Sequence, residues 1–181
     1  MALMKKHPLL KVDFLATVRW SAQDQKHLLR WLDLSGEVLA DLTRRGLLPS
    51  AALKDLKVIH VSLLLCGDAR MRRLNRDFRK KDKVTDVLSF PSHGNLRSST
   101  SSGEEIFLGD LAICHPQILR QANEFSIGYW DEFVHLFFHG LFHLLGYDHE
   151  ASRKEELVMQ EWEDRAIELL GKKKGARRPP R

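Results

Sequence analysis

Residues Trp130 to Leu145, W-D-E-F-V-H-L-F-F-H-G-L-F-H-L-L, constrain the fold more than any other stretch of the chain. A helix that is apolar nearly all round has to be buried, so this one is predicted to be central and to lie against a sheet. It nevertheless carries histidines at positions 135, 139 and 143, and His149 follows just beyond it. Residues four apart differ by only about 40° around a helix, so the first three form one stripe. His135 and His143 stand about 12 Å apart along the axis, too far to share an ion whose nitrogen ligands must approach to about 2.0–2.1 Å. Gly146 sits where a helix C-terminus favours a left-handed residue, which folds the chain back and brings His149 toward the nearer pair. The predicted metal ligands are therefore His139, His143 and His149, with His135 a packing or supporting residue.

Three neutral imidazoles leave the fourth tetrahedral position open, the pattern of a catalytic zinc site holding one ion. The spacing His-x-x-x-His-x-x-Gly-x-x-His is also that of metalloproteases, but those keep a glutamate after the first histidine to shuttle a proton to the leaving amine. Gly140 cannot do that. Phosphodiester cleavage depends less on such a group, because a metal and a cation can stabilise charge on the phosphoryl and leaving oxygens. The residues thus favour a nucleic-acid substrate. A zinc-dependent peptide or amide hydrolase, and a non-catalytic assembly factor whose zinc only locks the C-terminal helices, are the alternatives.

Charge points the same way. The formal net charge is +5, and residues 172–181, K-K-K-G-A-R-R-P-P-R, hold six basic side chains and no acidic one, leaving the rest nearly neutral. Within that body, Asp68 to Lys83 has eight basic residues against three acidic. A basic face on a neutral body suits a polyanionic partner. Arg72, Arg73, Arg76 and Lys80 are the expected guides for its backbone. The two cysteines, Cys66 and Cys114, lie in apolar runs and suggest no disulfide framework, so a cytoplasmic location is expected. No apolar run approaches the roughly 18 residues of a membrane span, and the lysine-bearing N-terminus reads as part of the fold rather than a signal peptide.

The remaining pattern predicts an α+β fold. Strands are expected over residues 10–18, 58–65, 85–90 and 106–114. Helices are expected from a Ser21 cap to about Leu32, from Gly36 to Arg45 with a stop at Gly46, after a Gly67-Asp68 turn and cap, from His115 to about Phe125, and from about Ser152 to Leu170. Met71, Leu74 and Phe78 form the apolar stripe of the third of these. Four strands in non-alternating order with five or six helices imply one mixed sheet packed against helices, in a single domain over residues 1–171. Residues 92–105, S-H-G-N-L-R-S-S-T-S-S-G-E-E, read as a flexible loop, and residues 172–181 as a disordered basic tail.

Three blocks carry a closer resemblance: L-N-R-D-F-R-K-K-D-K-V-T-D-V-L-S-F-P from Leu74, L-G-D-L-A-I-C from Leu108, and H-L-F-F-H-G-L-F-H-L-L-G-Y-D-H from His135. Together they resemble the YbeY family of zinc-dependent endoribonucleases of ribosomal RNA maturation. The resemblance implies that His139, His143 and His149 bind the metal and that Arg79 is catalytic, holding or neutralising the scissile phosphate. It also implies a single-strand-preferring endoribonuclease that matures the 3′ end of small-subunit ribosomal RNA and serves ribosome quality control. The expected partners are RNA and ribosomal particles, with no membrane and no DNA. The family usually has proline where this chain has Val84, and the serine-rich loop and basic tail fall outside the likeness. Asp86, Asp110 and Asp148 match family positions, where each either orients a histidine or ties a turn.

Overall fold

The computed structural model describes residues 9–47, 56–92, 104–149 and 151–174. The expectations for residues 1–8, for most of the serine-rich loop and for the end of the basic tail lie outside these. Four strands, β1 (Leu9–Ala16), β2 (Val58–Cys66), β3 (Val87–Pro91) and β4 (Glu105–Cys114), form one sheet in the order β1-β2-β4-β3. β1, β2 and β4 are parallel, whereas β3 runs antiparallel to β4 at the edge. Five helices stand among the described residues: α1 (Ala22–Arg44), α2 (Asp68–Arg79), α3 (His115–Glu124), α4 (Tyr129–Leu144) and α5 (Arg153–Lys174). The α+β class and mixed four-stranded sheet follow as expected. The last helix, however, runs on to Lys174, into the segment read as a tail.

Local chemistry explains most boundaries. Ser21 caps α1 reciprocally with Asp24: its hydroxyl accepts from the Asp24 amide at 3.1 Å, and the Asp24 carboxylate accepts from the Ser21 amide at 2.9 Å. The two helices expected on either side of Leu34 are one continuous helix of 23 residues. Gly36 does not break it; a Cβ there would make an ordinary van der Waals contact, 3.5 Å, with that of Leu10 on β1. The helix does stop at Gly46, whose φ is +96° and whose amide bonds back to Thr43 while Leu47 bonds to Leu42. The cap of α2 is Gly67 rather than Asp68, whose carboxylate instead accepts from Arg120.

The sheet has two unequal faces. On one, α1, α4 and α5 enclose the main core, which includes Leu63, Leu111, Phe137 and Leu141. A bulge at Gly109, where φ is +137°, resets the alternation of β4 so that Leu108 and Leu111, three apart, both enter that core. A Cβ at Gly109 would lie only 2.1 Å from the Phe90 carbonyl oxygen, so no other residue fits the turn. On the second face α2 packs, closing a small cluster of Cys66, Met71, Leu88, Ala112 and Cys114. Both cysteines are buried free thiols, and burial pushes the Cys114 thiol up to about 12, so it packs as an apolar side chain. No helix is long and apolar enough to cross a membrane among the described residues.

Candidate metal centre

The C-terminus of α4 builds the site. Leu145 is followed by Gly146 at φ +94°, and the Gly146 and Tyr147 amides bond back to His143 and Phe142 at 3.0 Å each. This is the left-handed termination expected from the glycine, and it turns the chain so that His149 faces the helix it has just left. Tyr147 is buried, with its hydroxyl donating to the Leu47 carbonyl, which ties the turn to the end of α1. As a result, one ring nitrogen from each of His139, His143 and His149 lies within 4.8 Å of the others. His135 stays outside the group. Its ring centroid is 6.5 Å from that of His139, and its buried Nδ1 has no hydrogen-bond partner among the described residues.

The donor set fits a metal ion. Burial, reinforced by the neighbouring His139 and His149, pushes His143 down to about 4, so it is a neutral imidazole with a free lone pair at neutral pH. His139 is oriented by Glu163 of α5, whose Oε1 lies 2.8 Å from His139 Nδ1. Burial pushes the Glu163 carboxyl up, but the bond with His139 and the nearness of His135 and His149 outweigh it and leave the group below its ordinary value. An ionised carboxylate only accepts, so Nδ1 carries the proton and Nε2 is left to face a metal. Glu163 has no motif around it, being one of several acidic residues on an acid-rich helix, and only the fold shows its role.

The histidines open into a cavity of about 730 Å3 that Arg79, Lys81 and Lys83 also line. α2 ends at Lys80 in a left-handed conformation, φ 60°, and this turn carries Lys81 and Lys83 to the cleft. Arg79 Nη2 donates to the Ser89 carbonyl oxygen at 3.1 Å, which anchors the guanidinium along β3. The four cations expected to guide the backbone are placed differently. Arg72 makes two 2.8 Å bonds to Asp82, and Arg76 pairs with Asp77 at 3.1 Å. None of Arg72, Arg73, Arg76 or Lys80 lines the cavity.

The aspartates separate in the same way. Asp86 accepts from the Val87 amide at 2.8 Å and from Gln121 at 2.9 Å, so it ties the entry to β3 to α3. Asp86 and Asp148 both line the cleft, whereas Asp110 lies on the other face of the sheet. Gly140 has a packing reason. A Cβ there would sit 2.7 Å from Leu111 Cδ2 and 3.2 Å from Val87 Cγ2, so the glycine lets α4 press onto β3 and β4. The position of a protease's glutamate therefore points into the sheet. The site is a histidine triad at a helix terminus, facing a cationic cleft and without a proton shuttle on the helix itself.

An α+β domain with such a site has the residues to hold a metal ion beside a cation-lined cleft. The model of the family described as Endoribonuclease YbeY matches residues 36–171, and the chain belongs to that family. It is 44% identical over 121 residues to Endoribonuclease YbeY of Leptospira interrogans, covering 61% of this chain and 86% of that one. Endoribonuclease YbeY of Persephonella marina is 40% identical over 112 residues, covering 62% and 71%. The fold is similar to the solution structure of a Thermotoga maritima protein, with a TM-score of 0.54 at 21% identity over 92% of each chain.

Proposed function

We propose that this chain is a zinc-dependent endoribonuclease that cuts single-stranded RNA in the cleft between the histidine triad and Arg79, and that its substrate is precursor ribosomal RNA near the small-subunit 3′ end. In this reading it acts in the cytoplasm on ribosomal particles and serves ribosome quality control. The observation that carries the reading is that His139, His143, His149 and Arg79 line one cavity. His139, His143 and His149 hold the ion, which when bound supplies Lewis acidity toward the phosphoryl group. Arg79, held by the Ser89 carbonyl, presents its remaining guanidinium N–H donors to the scissile phosphate and neutralises charge developing there. Lys81 and Lys83 add the long-range attraction that draws a polyanion in. Gly140 leaves no side chain to protonate a leaving amine, which weighs against an amide substrate. Residues 1–171 act as one domain.

The test is cleavage of a single-stranded RNA and of its duplex by wild type and Arg79→Ala, with metal content measured on both proteins. The reading expects cutting of the single strand only, strongly reduced in Arg79→Ala with metal content unchanged. Equal cutting of the duplex, or full activity in Arg79→Ala, would contradict it. Product ends then separate attack by the ribose 2′-hydroxyl, which leaves a 2′,3′-cyclic phosphate, from attack by water.

A further inference from the structure

The metal cleft shares a wall with a second cavity. Asn75 and Arg79 of α2 and Ser89 of β3 line the histidine cavity, whereas Arg70, Leu74 and Phe78 of α2 and Phe90 of β3 line a groove of about 510 Å3 on the second face of the sheet. Phe78 is 64% exposed, although the apolar stripe of α2 predicts it to be covered. Its ring packs edge-to-face on Phe90, with centroids 5.0 Å apart and planes at 67°, which holds it in place at the groove mouth. Phe78 is also the immediate neighbour of Arg79, with Cα atoms about 3.8 Å apart. The last turn of α2 thus presents the guanidinium of Arg79 to the histidine cleft and the Phe78 ring to the groove.

We propose that Phe78 is a base-stacking residue: single-stranded RNA held at Arg79 turns an adjoining base over the α2 terminus and lays it on the Phe78 ring. The proposal rests on the endoribonuclease reading and adds to it where the strand goes and why a duplex is refused. A base already paired and stacked in a duplex presents no free face, whereas every unpaired base does. The groove's own chemistry suits a base rather than a phosphate. Beyond the aromatic mouth its lining includes the carboxylates Asp13 and Asp110, which repel a phosphodiester but accept hydrogen bonds from exocyclic amino groups. Asp13 is engaged by His60 at 2.7 Å, leaving Asp110, opposite Phe90 in the sheet register, nearer the aromatic pair. Arg70, on the same wall as Phe78, supplies a cation for the following phosphate.

The experiment is equilibrium binding of the full chain, in chelator so that the RNA stays intact, to a labelled short single-stranded oligoribonucleotide and to the same oligomer made abasic. Wild type, Phe78→Ala, Phe78→Leu and Phe78→Trp are compared, with thermal melts to verify folding. The expected result is that Phe78→Ala and Phe78→Leu bind the intact oligomer about tenfold more weakly, the size of one lost base–aromatic stack, while Phe78→Trp binds at least as tightly as wild type. The abasic oligomer should bind wild type and Phe78→Ala alike. Unchanged affinity for the intact oligomer in Phe78→Ala overturns the stacking role and leaves the groove to an apolar protein segment, with the endoribonuclease reading intact. Wild type that binds the abasic oligomer as tightly as the intact one overturns the stacking role as well.

Discussion

His139 and Glu163 are bonded across the α4–α5 interface, Nδ1 to Oε1 at 2.8 Å, although 24 residues separate them in the chain. This one contact decides which nitrogen His139 turns to the site. Removing it by Glu163→Ala is expected to lower metal affinity about 10- to 100-fold without unfolding the domain, as loss of a ligand-orienting carboxylate commonly does. Glu163→Gln, which keeps an acceptor oxygen, should fall in between. A zinc competition titration with melting controls checks both.

The glycine that separates this site from a protease is predicted to resist repair. Gly140→Glu drives a Cβ into Leu111 and Val87 and brings a carboxylate with it, at a position that is buried. The expected cost is about 3 kcal/mol or more in stability, with no peptide-hydrolysing activity gained. Urea denaturation and a peptide-cleavage assay measure the two halves of this prediction.

Lys80 holds a left-handed backbone, φ 60°, at the end of α2. A side chain costs free energy there that glycine avoids, partly offset by the larger entropy glycine loses on folding. Lys80→Gly is expected to stabilise the protein by about 0.5–1 kcal/mol. Because Lys80 does not line the cleft, RNA cleavage should change little.

His115 gives the folded state a pH dependence away from the metal site. Burial holds it below its ordinary value, only partly opposed by Asp24, and its Nδ1 lies 2.8 Å from the Tyr129 hydroxyl. Below the ordinary histidine value of about 6.5, the unfolded chain takes up a proton that the folded chain does not. Stability should therefore fall as pH drops from about 6.5 until the folded pKa is reached, and then level off. His115→Gln should flatten that slope in melts taken across the window.

Much of this was legible wherever the signal is local. The Ser21 cap, the stops at Gly46 and Gly146, and the histidine stripe each depend on residues within one or two helical turns, and the structure bears each out. Gly36 misled because glycine signals a helix boundary, whereas α1 runs through it unbroken. Glu163 reaches His139, and Lys81 and Lys83 reach the cleft, through tertiary approach, which no spacing in the chain encodes. The Arg72–Asp82 pair shows the converse: a basic run looks available until the fold brings a carboxylate to it.

The account turns on whether the histidine triad holds the metal that RNA cleavage requires. The most direct measurement is zinc content and cleavage of single-stranded RNA on the same preparations of wild type and His143→Ala, purified away from host nucleases. The account predicts one zinc per chain and cleavage in the wild type, and loss of both together in a His143→Ala protein that is still folded. A metal-free His143→Ala protein that cuts RNA as fast as wild type would contradict it.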